Sequence, residues 1–250
     1  MFKIGVAGKG GTGKTTLSCL IILSLLKLEQ KPILAIDADP NSNLAENLGI
    51  AQPKSLVEIV NEIEKIKNNL PYGIEKSKYL EMRVQEAIME EKGFDLLVMG
   101  RTEGPGCYCY ANNLLREWME KIEKNYKFIV MDNEAGMEHI SRRTSGNLDV
   151  LFVVSLSDKI SLRTAESIYN MINNLELNIK KTYLVINELL GNKIGNNINF
   201  PVPVAFKLPF DEEVYKLSEE NKGILNISDK SIAFLNVYEF INELCKSDLQ

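Results

Sequence analysis

Short apolar runs alternate with longer helical patterns along most of the chain. Seven runs have the length and the side-chain types of buried strands: residues 3–7, 33–36, 96–99, 128–131, 150–154, 183–186 and 202–206. Helical periodicity lies between them, near residues 14–28, 56–68, 111–123, 160–175 and 231–246. Strands that are apolar throughout and separated by helices are typical of a parallel sheet covered on both faces. The pattern predicts a single α/β domain over residues 1–250, with a doubly wound, mostly parallel sheet and helices on both faces.

A glycine-rich segment follows the first predicted strand and opens the first predicted helix. It reads Gly8-Lys9-Gly10-Gly11-Thr12-Gly13-Lys14-Thr15-Thr16 and fits the pattern G-x-x-x-x-G-K-[ST] in the strand-to-helix context that the motif requires. Glycines let backbone N–H groups turn toward phosphate oxygens, and the helix N-terminus adds a partial positive charge. A chance glycine-rich turn is the alternative. We predict that residues 8–16 bind the phosphates of ATP, with Lys14 at the β- and γ-phosphates and Thr15 on Mg²⁺.

Carboxylates end two more of the predicted strands, at the edge of the sheet where doubly wound folds bind ligands. Asp37 and Asp39 follow the second strand, and Asp132 follows the fourth. Such carboxylates can hold Mg²⁺ or its waters, or orient an attacking water. Helix capping is the alternative for one member of the first pair. We therefore predict Mg²⁺ binding by Thr15, Asp37 and Asp132, and we interpret residues 133–139 as a loop that responds to the γ-phosphate.

Composition narrows the choice of partner and compartment. The 250 residues carry 29 basic and 34 acidic side chains, a net charge of −5, which disfavours a nucleic-acid partner. The N-terminus does not resemble a signal peptide, and the longest apolar stretch, residues 17–26, is too short to span a membrane. We therefore expect a cytoplasmic protein that binds neither nucleic acid nor membrane, whose four cysteines are not a disulfide framework.

A second informative segment, residues 104–110, reads Gly-Pro-Gly-Cys-Tyr-Cys-Tyr. Cys107 and Cys109 supply two of the four ligands of a tetrahedral metal site, and a two-fold dimer would supply the other two. The sequence thus predicts a Cys₄ site for a soft or borderline divalent ion such as Ni²⁺ or Zn²⁺, shared between two subunits. Two incidental loop cysteines are the alternative. Cys19 and Cys245 lie on helical patterns, and we interpret them as packing residues.

The second lysine of the phosphate loop carries a family resemblance. Lys-Gly-Gly-Thr-Gly-Lys-Thr at residues 9–15 resembles the deviant Walker A signature of the MinD, ParA, nitrogenase iron protein and arsenite-pump ATPase class. The resemblance implies a P-loop NTPase fold and a homodimer that sandwiches ATP, in which Lys9 reaches the partner's phosphates. A solvated surface lysine is the alternative. The resemblance also implies that Asp39 positions the attacking water, with support from Asp37, which makes Lys9, Lys14 and Asp39 the candidate catalytic residues.

The same resemblance implies a pocket for the adenine base. It implies that Asn187, at the end of a predicted strand, recognises the adenine edge, and that Pro209, Phe210 and Asp211 flank the base. Plain turn residues are the alternative for both segments.

Three segments together resemble a narrower family. Residues 8–16, the Cys-x-Cys loop and the Asp-x-x-Ala-Gly-Met-Glu-His segment at 132–139 are similar to the CooC/AcsF group of nickel-insertion accessory ATPases for carbon monoxide dehydrogenase and acetyl-CoA synthase. The resemblance implies an ATP-dependent metallochaperone that delivers nickel to one of these client enzymes. Asn133 departs from the family pattern. His139, the only histidine, could contact the metal or the 133–139 loop, although a surface or capping role is the alternative.

Two other functions remain open from the sequence. A positioning ATPase like MinD or ParA would act on membrane or DNA, but the amphipathic C-terminal segment is acidic and the net charge is negative. An electron-transfer protein like the nitrogenase iron protein would hold a [4Fe–4S] cluster at the dimer axis. In that protein each subunit supplies two cysteines from separate loops, whereas here they lie in one Cys-x-Cys.

Overall fold

The computed structural model describes residues 1–65, 76–100, 118–134, 147–174, 177–188 and 198–248. Eight strands in these ranges form one sheet. Their bounds are β1 (Phe2–Gly8), β2 (Ile33–Ala38), β3 (Ile88–Glu91), β4 (Phe94–Val98), β5 (Phe128–Asn133), β6 (Asn147–Leu156), β7 (Asn178–Asn187) and β8 (Val204–Leu208). All neighbouring strands run parallel except β3, which pairs antiparallel with β4. The prediction of a mostly parallel sheet is confirmed.

The order of the strands locates the ligand-binding edge. It is β3-β4-β2-β5-β1-β6-β7-β8. From β1 the chain moves to one side to form β2, whereas β6, on the other side of β1, leads outward to β7 and β8. This reversal between β1 and β6 is a topological switch point, and doubly wound sheets bind ligands beyond the carboxyl ends of the strands there. The carboxyl end of β1 is Gly8, where the glycine-rich loop begins.

Helices cover both faces of the sheet, because successive residues of each strand point to opposite sides. The bounds of the longer helices are α1 (Lys14–Lys27), α2 (Leu44–Leu48), α3 (Leu56–Lys65), α4 (Lys76–Gln85), α5 (Lys159–Asn173), α6 (Glu212–Glu219) and α7 (Ile232–Asp248); residues 118–123 are also helical. One apolar core contains buried residues of α1, α2 and α7, and the other contains buried residues of α3, α5 and the 118–123 segment. The expectation of helices on both faces is confirmed.

Local sequence explains where several helices begin. Ser55 and Glu58 form a capping box at the start of α3: the Ser55 hydroxyl accepts the Glu58 N–H at 3.2 Å, and Glu58 accepts the Ser55 N–H at 2.7 Å. Asp158 caps α5 by accepting the N–H groups of Ile160 and Ser161, both at 2.9 Å. By contrast, α1 has Gly13 at its N-cap position and therefore no side-chain cap.

The structure also contains elements that the sequence patterns did not predict. Strand β3 and helices α2, α4 and α6 are additions, and β8 runs two residues further than the strand predicted at 202–206. Strand β3 escapes the pattern because its four residues, Ile-Met-Glu-Glu, are half polar and only partly buried. Such a strand is stabilised by its pairing with β4 rather than by its own apolar content.

Two glycines bring the end of α2 against a distant turn. Gly49 closes α2 with φ +82°, and its N–H donates to the carbonyl groups of Ala45 and Glu46. A Cβ placed on Gly223 would overlap Gly49 Cα and the Leu48 carbonyl oxygen. The two backbones are therefore in direct contact, and only glycine fits at residue 223.

Candidate functional site

The glycine-rich loop has the geometry of an anion cradle. Gly11 and Gly13 have φ +78° and +90°, values that glycine adopts without strain, and a Cβ at Gly10 or Gly11 would meet nothing within 4 Å. Helix α1 starts at Lys14 without a side-chain cap and without an acidic residue in its first turn. Its first N–H groups and its positive dipole end are therefore available to an anion, as a triphosphate requires.

The two lysines of the loop differ in environment. Lys14 is 7% exposed, and its Nζ lies 3.4 Å from the Lys9 carbonyl oxygen and 4.0 Å from Asp39 Oδ2. Both contacts are long, so the ammonium group keeps most of its capacity to bind an anion. The Lys9 side chain, in contrast, is exposed at the rim of the loop.

Asp132, at the carboxyl end of β5, faces the first turns of α1. Its Oδ2 accepts the Thr15 hydroxyl at 2.7 Å, and its Oδ1 accepts the Ser18 hydroxyl at 3.0 Å. Burial raises the pKa of Asp132 to about 6, against the lowering effect of these two hydrogen bonds. Sequence reasoning paired Thr15 with Asp132 but missed Ser18. The three-residue spacing of Thr15 and Ser18 puts them on one face of a helix and could have revealed it.

Asp37 lies beside Asp132 on the neighbouring strand β2 and is fully buried. Its oxygens accept the N–H groups of Asp39 at 3.2 Å and Leu44 at 2.9 Å, so it also fixes the loop before α2. Burial raises the pKa of Asp37 to about 7, and the charge of Asp132 adds to the rise. Two buried carboxylates on paired strands, next to the Thr15 hydroxyl, are hard oxygen donors whose mutual repulsion a divalent cation relieves. These residues fit Mg²⁺.

Asp39 is partly exposed at the edge of this site. One of its oxygens accepts the N–H of Asn41 at 2.9 Å and the Asn41 amide at 3.0 Å, and the other faces Lys14. The carboxylate is therefore held at the mouth of the phosphate loop, where it can contact water.

Asn133, the departure from the family pattern, is buried at the end of β5. Its Nδ2 donates to the carbonyl groups of Val6 and Met131, both at 3.1 Å. The side chain thus ties the end of β5 to the end of β1, directly below the phosphate loop.

Asn187 ends β7 and is 6% exposed. Its Nδ2 donates to the Thr12 carbonyl oxygen at 3.0 Å, which joins β7 to the phosphate loop. The sequence prediction assigned this side chain to the adenine edge, and the contact with the loop was not foreseen.

The three residues after β8 divide into two groups. Phe210 is 42% exposed and lies against Tyr215, with ring centroids 6.1 Å apart. The Asp211 carboxylate, in contrast, caps two helices. It accepts the N–H groups of Glu213 and Val214 at the start of α6, and the Ser231 hydroxyl and Ala233 N–H at the start of α7. Pro209 and Phe210 remain predictions for the base pocket, whereas both oxygens of Asp211 are used in capping.

Some predicted site residues lie outside the described residues. These are Cys107, Cys109, His139 and residues 135–138 of the loop predicted at 133–139. Cys19 is fully buried, and Cys245 packs against the same core, as expected of packing residues. Within the described ranges, no group of three or more His, Cys, Asp or Glu side chains is arranged to hold a metal ion, and no helix has the length and apolar character needed to cross a membrane.

Comparison with known proteins agrees with this geometry. A family model described as an AAA domain (AAA_31) matches residues 3–185. An uncharacterized ATP-binding protein of Methanocaldococcus jannaschii is 38% identical over 96% of this chain and 97% of its own. The carbon monoxide dehydrogenase accessory protein CooC of Rhodospirillum rubrum is 31% identical over 90% of both chains. Among solved structures, a chain of the MinC:MinD cell division protein complex of Aquifex aeolicus superposes with a TM-score of 0.70 at 20% identity, covering 100% of this chain and 98% of the other.

The fold is that of the ParA/MinD-type P-loop ATPases. The family match and the ATP-binding relative make the chain an ATPase, which binds ATP with Mg²⁺ and hydrolyses it to ADP and phosphate. The chain belongs to the AAA_31 family.

Proposed function

We propose that this ATPase is a metallochaperone that inserts nickel into carbon monoxide dehydrogenase or acetyl-CoA synthase. The observation that carries the proposal is the pair of cysteines in Cys107-Tyr108-Cys109, in a chain 31% identical to a carbon monoxide dehydrogenase accessory protein over 90% of both lengths. A Cys-x-Cys supplies half of a thiolate site that suits nickel or zinc. Nucleotide binding would close a homodimer around this site, and hydrolysis would open it for transfer to the client enzyme.

The nucleotide site has three parts. The N–H groups of residues 8–16 surround the phosphates, and Lys14 neutralises charge on the β- and γ-phosphates. Thr15 and Asp132 would hold Mg²⁺ with Asp37 beside them, and the ion would supply further neutralisation of the phosphate oxygens. Asp39, at the mouth of the loop, orients the water that attacks the γ-phosphorus, while the bond to the β-phosphate oxygen breaks.

Lys9 acts across the dimer. Its side chain is exposed at the rim of a loop that already contains a buried lysine, so a second cation adds little to the site of its own subunit. In a dimer whose two phosphate loops face each other, it would reach the partner's phosphates, and the transition state would then be neutralised only in the closed dimer.

The adenine base lies near the ends of β7 and β8. Phe210 offers an exposed ring for stacking and Pro209 shapes the turn beside it. Asn187 would read the adenine edge, with its Nδ2 also donating to the Thr12 carbonyl oxygen. The neighbouring Asp211 supports this pocket indirectly, because it fixes the start of α6 and α7.

The metal site would contain Cys107 and Cys109 from each of two subunits. Tetrahedral preference then requires one ion per two chains. Occupancy stabilises the dimer because binding is linked to association. It weakens as the pH falls because protons compete for the thiolates.

Metal titration with Ni²⁺ and Zn²⁺, combined with light scattering, tests the proposal. The wild-type protein should bind one ion per dimer. Replacing both residues of the motif, Cys107→Ser with Cys109→Ser, should abolish tight binding and leave ATP affinity unchanged. Cys245→Ser is the matched control, since it removes a thiol outside the motif and should bind metal normally. Tight nickel binding at the same ratio by the double variant would refute the metallochaperone site. A brown protein after anaerobic purification would instead favour an iron–sulfur reductase.

The nucleotide assignment has a separate test. Lys14→Ala should lose ATP binding in isothermal titration calorimetry, because no other buried cation of the described residues reaches the loop. Unchanged ATP affinity would refute the role of Lys14 while leaving the metal site untouched.

A further inference from the structure

A side chain on a distant strand holds the Thr12 peptide of the phosphate loop. Asn187 lies 175 residues from Thr12 along the chain, yet its Nδ2 donates to the Thr12 carbonyl oxygen at 3.0 Å, and the contact is buried. The strand that carries Asn187 is separated from β1 by β6. The contact therefore ties the loop that follows β1 to the end of β7, two strands away in the sheet.

A second observation shows how closely the amide fits against the loop. Gly13 has φ +90°, and a Cβ at this residue would overlap Asn187 Nδ2. The absence of a side chain at Gly13 is thus what lets the amide approach the Thr12–Gly13 peptide. Thr12 is itself fixed on its other side, because its hydroxyl donates to the Lys9 carbonyl oxygen at 2.8 Å.

The orientation of the Thr12–Gly13 peptide determines the direction in which the Gly13 N–H points. In a trans peptide the C=O and the following N–H point in opposite directions. With the Thr12 carbonyl bound to Asn187, the Gly13 N–H must point away from β7. This N–H belongs to the helix N-terminal group of α1, which a phosphate ligand uses.

We propose that Asn187 is a positioning residue for the phosphate loop: by holding the Thr12 carbonyl oxygen, it keeps the Gly13 N–H aimed for the phosphates. The inference rests on the nucleotide site proposed above. The proposed role differs from recognition of the adenine edge, because it makes Asn187 important also for the binding of ligands that have no base. A loop held by the protein's own side chain is also preformed and should bind phosphates without help from adenine.

Inorganic tripolyphosphate separates the two roles, because it has the phosphates of ATP and no base. We would measure its affinity and that of ATP, both with Mg²⁺, by isothermal titration calorimetry on the full chain. Asn187→Ala removes the donor and leaves the Thr12 carbonyl oxygen without a partner, which should weaken both ligands about tenfold. Phe210→Ala is the matched control. It should lower the affinity for ATP, through loss of stacking on the base, and leave the affinity for tripolyphosphate unchanged.

A second variant guards against simple misfolding. Asn187→Asp keeps the size of the side chain but places a carboxylate oxygen against the Thr12 carbonyl oxygen at pH 8. Because two acceptors repel each other, this variant should lower the affinity for tripolyphosphate at least as much as Asn187→Ala. Thermal unfolding without ligand reports whether each variant is folded.

Three results would overturn the inference. They are wild-type tripolyphosphate affinity in folded Asn187→Ala, wild-type affinity in Asn187→Asp, and a wild-type protein that binds ATP but not tripolyphosphate, since the loop would then not be preformed. A wild-type protein that binds neither ligand would instead refute the nucleotide site itself.

Discussion

Replacement of Asp211 by alanine should destabilise the protein more than removal of an ordinary helix cap. The Asp211 carboxylate is buried and accepts four hydrogen bonds, two from the first turn of α6 and two from the start of α7. Alanine would leave both helix N-termini without their acceptor at the same time.

The magnitude follows from the number and kind of these contacts. Loss of one N-cap costs about 1 kcal/mol, with a range of about 0.5–2. Asp211 serves two helices, and hydrogen bonds to a charged acceptor are stronger than neutral ones. We therefore expect Asp211→Ala to lower the free energy of unfolding by about 2–4 kcal/mol. For a chain of this length, that corresponds to a Tm lower by about 5–15 °C.

Asp158→Ala is the matched control for this measurement. Asp158 is also an aspartate N-cap that accepts two backbone N–H groups and a serine hydroxyl, but all three belong to the single helix α5. Thermal unfolding of both variants without nucleotide, followed by circular dichroism, should show a Tm shift for Asp158→Ala that is less than half of that for Asp211→Ala. Equal shifts would show that the contacts to α7 contribute nothing and would refute the reasoning.

The effect of Asp211 should also depend on pH. Burial raises the pKa of Asp211, but the hydrogen bonds from Ser231, Ala233 and the start of α6 outweigh it and lower the pKa below 3.8. A carboxylate with a lowered pKa stabilises the folded state above the unfolded-state pKa, and it loses that contribution as the pH falls through the folded-state value. The gap in stability between wild type and Asp211→Ala should therefore be constant near neutral pH and should narrow below 3.8.

Three further predictions concern catalysis. Lys9→Ala should bind ATP normally but lose ATP-dependent dimerisation and turnover; a normal ATP-bound dimer with normal turnover in light scattering and phosphate release would show that the lysine is only a surface residue. Asp39→Asn should accumulate the ATP-bound dimer, because water is positioned poorly while phosphate contacts remain, and wild-type turnover would assign this loop a capping role. Ser18→Ala should raise the Mg²⁺ concentration needed for half-maximal activity and for tight binding of fluorescent ADP by about 10–100-fold, with Ser18→Thr restoring both; an unchanged Mg²⁺ dependence would contradict the role of the Ser18 hydroxyl.

The phosphate loop and the core strands could be predicted because their signals are local. Residues 8–16 carry their geometry in their spacing, and the run at 128–131 is apolar because β5 is buried on both faces. Where a strand is only partly buried, the pattern fails: β7 begins at Asn178, five residues before the predicted start, and four of its first five residues are polar.

The contacts that complete the site could not be predicted in the same way. Ser18 and Asp132 lie 114 residues apart, and Asn187 and Thr12 lie 175 residues apart. Such pairs depend on which strands become neighbours in the sheet, and no local pattern in the sequence states the strand order. The capping role of Asp211 has a similar origin, because the start of α7 meets the end of β8 only in the folded chain.

The contact between Gly49 and Gly223 means that two segments distant in the sequence cannot move toward each other independently. Helix α2 follows the loop that carries Asp39, and Gly223 lies between α6 and α7. Because backbone touches backbone there, no layer of side-chain atoms can yield when one segment is pushed. A shift of the Asp39 loop that moved α2 would therefore act directly on the segment before α7. Such a shift would couple the segment before α7 to the carboxylate at the mouth of the phosphate loop, and a methyl group at residue 223 would be enough to push the two backbones apart.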